Sequence, residues 1–271
     1  MKEAEGPVYD QKIKAIGIAF AFLPLVFHFF PQPAKAQQNA FAGTMDTAPG
    51  PTSTVFVDSA TNGIISKVLA ENDRRRERLQ RYTVIRTYEV RSGGGDVAAQ
   101  AVVRMEYRAP DVKTFEKTSE KGSGIVRHLV FDQLMDSETE FSSGKQGEDS
   151  AISPANYIFH FAGQEDVGPY HCLVLQVVPR RKDKYLFEGR IWVESHDFAV
   201  AKIEGHPAKK TSFWISEAAF VREYQRVQGF WLPLRDETQV DVKIYGKRVL
   251  TVEHGPYQIT DKSGYSAGQV N

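Results

Sequence analysis

Between Lys184 and Ile244 polar and apolar residues alternate through four successive runs, each closed by a turn signal. Arg190-Ile191-Trp192-Val193-Glu194 gives way at Ser195-His196-Asp197 to a second run, Ala199 to Gly205. Past His206-Pro207 comes Phe213 to Tyr224, and past Gly229 and Pro233 comes Glu237 to Ile244. In the last run Thr238, Val240, Val242 and Ile244 point one way, and Glu237, Gln239, Asp241 and Lys243 the other. A period of two with one apolar and one wet face predicts antiparallel strands in a meander. Such a sheet needs a cover on its apolar face, and the nature of that cover bears on function.

Upstream the period changes. Gln37 to about Thr54 is rich in Gln, Ala, Gly, Thr and Pro without periodicity, which predicts a flexible leader over 37–57. Asp58 or Ser59 can cap a helix to about Arg81, with Ile64, Ile65, Val68, Leu69, Asn72 and Leu79 along one face. Tyr82, Val84, Arg86, Tyr88 and Val90 then share one side of a strand that turns at Gly93-Gly94-Gly95-Asp96. Val97 to Arg108 returns, predicting a long hairpin, and Val112 to Ser119 follows as a third strand. Ile125 to Phe141 reverts to helical spacing through Val126, Leu129, Val130, Gln133 and Leu134. After a polar loop from Ser142 to Ser150, Asn156–Phe161 and Tyr170–Val178 read as strands, and 260–271 as a disordered tail. The fold class is α+β: about nine to eleven strands joined by short links, hence antiparallel, in one domain over 58–259 with a few helices.

The N-terminus carries an export pattern. Lys12 and Lys14 precede an apolar stretch from Ala15 to Phe30, and Ala34-Lys35-Ala36 is a small-x-small cleavage pattern. Cleavage between Ala36 and Gln37 removes a signal peptide over 1–36, and Gln37, not being Cys, leaves the mature protein without its own lipid. The alternative, a membrane anchor, requires roughly 20 apolar residues, and this stretch has about 16. A periplasmic location follows. Formal charge is zero, from 34 basic and 34 acidic residues, which argues against a nucleic-acid partner. The basic runs Arg74-Arg75-Arg76 and Pro179-Arg180-Arg181-Lys182 read as solvated surface. Cys172 is the only cysteine, so no internal disulfide forms, and its apolar surroundings make it a buried small hydrophobe.

Chemistry is sparse. No Gly-x-Ser-x-Gly elbow exists, and Gly122-Ser123-Gly124 reads as a turn. The seven histidines include no His-x-His or His-x-x-x-His pair, so no metal or other cofactor is expected. Glu138 and Glu140 read as the solvated end of a helix. An enzyme is not expected.

Several blocks carry a resemblance. Leu79-Gln80-Arg81-Tyr82-Thr83-Val84, Tyr107-Arg108-Ala109-Pro110, Phe187 to Val193, Lys202-Ile203-Glu204-Gly205 and Gly229-Phe230-Trp231-Leu232-Pro233 are the segments concerned. In their order and patterning the chain resembles the LolA/LolB-like periplasmic lipoprotein carriers, whose fold the sensor RseB shares, over about Asp58 to Ile259. The resemblance implies an open, highly curved antiparallel sheet, a half-barrel of about eleven strands, wrapped around helices. It also implies a cavity for acyl chains, an acylated lipoprotein or lipid as partner, and inner- and outer-membrane transfer partners. No arginine of this chain is matched to the one those carriers use to hold their lid closed. An acyl chain gains about 0.8 kcal/mol per buried CH₂, so such a carrier needs an apolar cavity more than polar recognition.

The aromatic residues of the C-terminal meander are the candidates for that cavity. Trp192, Phe213, Trp214 and Phe220, with Val240 and Val242, are expected to meet lipid, against the alternative that they are core between sheet and helices. The expected function is a monomeric carrier for transfer towards the outer membrane; the second reading is a sensor or scaffold that reports envelope lipids to a partner protein.

Overall fold

The computed structural model describes residues 52–142, 150–210, 213, 215–243 and 246–261. The cleavage site at Ala36 and Gln37, and the candidate Trp214, lie outside the described residues. Helix α1 (Thr52–Arg78) leads into β1 (Leu79–Ser92), β2 (Val97–Arg108) and β3 (Val112–Gly122). A helical insertion follows: α2 (Gly124–Val126), a π-helical turn (Arg127–Asp132) and α3 (Gln133–Ser142). Then come β4 (Tyr157–Val167), β5 (Tyr170–Pro179), β6 (Phe187–Glu194), β7 (Val200–Pro207), β8 (Ile215–Val227), β9 (Phe230–Val242) and β10 (Gly246–Asp261).

All ten strands form one antiparallel sheet in the spatial order β3-β2-β1-β10-β9-β8-β7-β6-β5-β4. The sheet is curved around its helices and is not closed into a barrel. Its edges are β3 and β4, neighbours in sequence but opposite in space, and the helical insertion lies between them in the chain. Strand β10 has no counterpart in the alternating runs read from the sequence. It occupies the centre, pairing Leu250 with Val90 on one side and with Thr238 on the other.

Three apolar clusters form the core, and two of them lie under different helical covers. Under α1, Ile65 and Val68 pack with Ile191, Val193, Ile203 and Phe220. Thr61, Ile65, Val68, Asn72 and Arg75 form its buried stripe, spaced three and four apart as a helix requires. Under the insertion, Val130, Phe131, Leu134 and Met135 pack with Tyr88, Val90, Val240, Val242, Leu250 and Val252. Gln239 is exposed and Asp241 half-buried beside the shielded Val240 and Val242. The α1 helix begins at Thr52, ahead of the Asp58 cap read from the sequence, and β10 runs on through Thr260 to Asp261.

Two of the residues that carry the family resemblance have a steric role. Gly189 and Gly205 face each other across β6 and β7. A Cβ on Gly189 would come within 2.0 Å of the Glu204 carbonyl oxygen, so only glycine lets these backbones approach so closely.

Candidate functional site

A belt of buried charge crosses the inward face. Arg86 on β1 and Glu138 on α3 form an ion pair at 2.8 Å, with side chains 1 % and 0 % exposed. Lys113 on the edge strand β3 reaches the other carboxylate oxygen of Glu138 at 3.2 Å. Further along, Asp236 on β9 accepts from His254 Nε2 of β10 at 2.9 Å and pairs with Arg222 on β8 at 3.5 Å. Tyr257 donates its hydroxyl proton to the Pro233 carbonyl at 2.7 Å, and that hydroxyl oxygen lies 3.2 Å from His254 Nδ1.

The electrostatics follow from burial and sharing. Burial works against the Arg86 charge, yet Glu138 and the neighbouring tyrosines hold its proton more firmly than water would. Burial pushes Lys113 below the ordinary lysine range, and Glu138, already shared with Arg86, restores only part of the loss. Burial also lowers His254, reinforced by the Arg86 charge and opposed by its bond to Asp236. The Tyr88 hydroxyl is pushed up to about 12 by burial. Because Glu138 is the only member of this belt on the insertion, its two ion pairs tie the cover to β1 and β3. The sequence reading of Glu138 as a solvated helix end is therefore corrected: a helix end that packs on a sheet is not wet on the packed side. Arg75, read as solvated, is likewise buried; it donates to Asn72 Oδ1 at 3.2 Å and to the Asp197 carbonyl, fastening α1 to the β6–β7 turn.

The second feature is an opening in the sheet. Strands β7 and β8 pair only over Lys202–Gly205 and Phe220–Glu223. Beyond Gly205 the chain leaves β8, and a pocket of about 420 Å³ lies where the two part. Ile215, Ala218 and Val240 give it an apolar floor, while Lys209, Lys210 and Lys247 stand on its rim.

The structure distributes the candidate lipid residues over three places. Val240 lines the pocket, and Val242 pairs with Ile215, another of its residues. Phe213 precedes Ile215 in chain and is 76 % exposed, with the Lys243 ammonium 3.9 Å above its ring. Phe220 is buried under α1, edge-on to Phe187 at 5.6 Å. Trp192 is buried in the same apolar cluster as Phe220, but its ring also meets charged groups. It is 2 % exposed, sits opposite Lys202 in register, and so shares the face of Arg190 and Lys202 and not that of Ile191 and Ile203. Its indole N–H donates to Glu165 at 2.8 Å, with the Arg190 and Lys202 cations 4.9 and 4.5 Å from its ring.

Other groups are structural. Cys172 is fully buried, with its thiol pushed up to about 11 by burial. Ser123 caps α2, its hydroxyl accepting from the Val126 N–H at 3.4 Å. Among the described residues no group of three or more His, Cys, Asp or Glu side chains could hold a metal ion, and no helix is long and apolar enough to cross a membrane.

Residues 89–253 match the model of a family of unknown function, DUF5686. The chain belongs to this family. That match spans β2 to β9 whole and takes in the β7–β8 opening and, of the charged belt, Lys113, Glu138, Arg222 and Asp236 but not Arg86 or His254. No curated protein matches. Among solved structures, a DUF1329 family protein from Desulfovibrio piger is 11 % identical, covering 78 % of this chain and 95 % of its own, at a TM-score of 0.38. A LolA superfamily protein from Nitrosomonas europaea is 12 % identical, with 74 % and 94 % covered and a TM-score of 0.35. A domain named for outer membrane lipoprotein sorting, from Vibrio parahaemolyticus, is 10 % identical, with 78 % and 95 % covered and a TM-score of 0.39. At these TM-scores the overlays carry no argument about function.

Proposed function

We propose that this DUF5686 member is an exported, non-enzymatic carrier that shields acyl chains of a lipoprotein or lipid in the pocket where β7 and β8 part. The observation that carries the reading is the incomplete β7–β8 pairing, which leaves a pocket with an apolar floor at Ile215, Ala218 and Val240. Its volume of about 420 Å³ falls in the range of small-molecule sites. The LolA-like resemblance of the sequence supports the same reading, as does the Ala34-Lys35-Ala36 export pattern. The Arg86–Glu138–Lys113 contacts supply a fastening for the cover, which a carrier must be able to hold shut.

A ligand that binds only the folded state raises the melting temperature by mass action. Palmitate or a short lipopeptide, below micelle formation, should raise the melting temperature, and Val240→Asp should abolish the rise. A melting temperature indifferent to every acylated ligand would remove the carrier reading. The scaffold reading would then take its place, and one feature favours it: edge strand β4 leaves Ile158 and Phe161 exposed at 40 % and 42 %. Unpaired strand edges of that kind accept an added strand from a partner.

A further inference from the structure

The pocket end of the sheet has a property that acyl binding does not require. Phe213 is the most exposed of the large apolar side chains described, at 76 % against 54 % for the next, Val112. This end carries four exposed lysines: Lys243, just past β9, meets the Phe213 ring, and Lys209 and Lys210 after β7 and Lys247 at the start of β10 line the pocket whose residue Ile215 lies two positions from Phe213. Lys243 lies over the Phe213 ring at 3.9 Å, so the β7–β8 loop and the β9–β10 turn meet at this end. Glu217 and Asp241 are the acidic residues lining the same pocket, which leaves the end cationic. The chain as a whole is neutral, so the excess is local.

We propose that this end docks on an anionic phospholipid surface, with Phe213 entering the headgroup region and the four lysines facing lipid phosphates. Charge complementarity selects the lipid. Lysine clusters beside a membrane are drawn to anionic headgroups, and their methylene stems lie along apolar surface while the ammonium stays in the polar layer. An exposed aromatic ring adds the second attachment that stable peripheral binding needs. A projecting tip of this kind suits a flat, deformable surface better than a peptide, which would need a groove with backbone partners. The inference rests on the cationic tip itself, and acyl binding in the pocket is a separate matter.

Co-sedimentation with phosphatidylcholine vesicles, with and without phosphatidylglycerol, tests it on the full chain. The readout is the difference between anionic and neutral vesicles, which cancels any common pull from the apolar Ala15–Phe30 segment. Each lysine is worth roughly five-fold in affinity near an anionic surface, so Lys209→Glu with Lys210→Glu should weaken anionic binding at least about 25-fold. Phe213→Ser should weaken it several-fold, and moderate salt should abolish the preference. These side chains are exposed, so all variants should keep the parent melting temperature; Lys243→Glu is a second charge variant should the double change unfold. The proposal is overturned if anionic vesicles bind no better than neutral ones, or if the charge reversals leave the preference unchanged. Capture by an acidic peptide without any response to vesicles also overturns it, and assigns the tip to a protein partner. A chain whose melting temperature ignores palmitate but which still binds anionic vesicles loses the carrier reading and keeps this one.

Discussion

Under α1 the sheet offers Ile191, Val193 and Ile203 to Ile65 and Val68, and the one buried charge of the helix stripe, Arg75, goes to a backbone carbonyl, that of Asp197, at the β6–β7 turn. Under the insertion, Val130, Phe131 and Leu134 meet an equally apolar floor, but Arg86, Lys113 and Glu138 are buried beside it. The first cover is held by area, which is insensitive to small shifts of register. The second is held by area and by a charge that must be in one place. Buried ion pairs add little net stability, since desolvation cancels most of the attraction, but a broken one is costly. The α1 half is therefore held mainly by apolar area, and the insertion half also by a buried carboxylate shared between two cations.

The comparison can be broken most severely at Glu138. Glu138→Ala strands the Arg86 charge in the core and should cost about 3–5 kcal/mol in urea unfolding. Replacing all three members, by Arg86→Met, Lys113→Met and Glu138→Leu, should recover most of that loss; a triple variant as unstable as the single one would mean the belt stabilises outright. On the α1 side Ile203→Ala should cost about 3 kcal/mol, the price of a cavity and not of a charge. Its cost should be the same at pH 5 and pH 8. Gly189→Ala, which forces a Cβ against the Glu204 carbonyl, should cost about 1–3 kcal/mol and weaken the β6–β7 pair.

A gentler test uses pH. His254 has a folded pKa below its ordinary value of 6.5, so the unfolded chain binds the proton more readily. Its contribution is present above pH 6.5 and is lost as pH falls from there through the folded pKa. His254→Gln should remove the slope of stability between pH 7 and pH 5, whatever it does to stability at pH 8; an unchanged slope would assign the effect elsewhere. The smallest expected effect is Asp241→Asn, a half-buried strand position whose change should move stability by under about 0.5 kcal/mol.

How much of this was legible can be judged residue by residue. The strands of the C-terminal meander were, because a period of two survives whatever covers the sheet. The parity of Arg86 with Tyr82, Val84, Tyr88 and Val90 was visible too, and a charge at an inward position is itself a signal that a partner is buried with it. The partner could not be named, since Glu138 lies 52 residues further on in a segment of different period. Trp192 shares its parity with Arg190, and that alone would have set it on the outward face. Strand β10 escaped because Gly255-Pro256 interrupts it, and proline argues against a central strand. The interruption sits where the β1–β10 register shifts between Val84 and Arg86, the kind of irregularity that tolerates it.

The central position of β10 has a consequence for the order of assembly. Leu79, the first residue of the sheet, pairs with Asp261, the last. A polypeptide made or threaded from its N-terminus therefore presents β1 with one side empty until Gly246–Asp261 has emerged. The final strand must then slot between β1 and β9 and join two sub-sheets, β3-β2-β1 and β9 through β4, that touch nowhere else in the hydrogen-bonded order. Closing so long a loop is slow. During that wait the facing edges of β1 and β9 are open to strangers, so a holding chaperone would have its largest effect at this late step, and truncation ahead of Gly246 would leave two separate sheets in place of one shortened sheet.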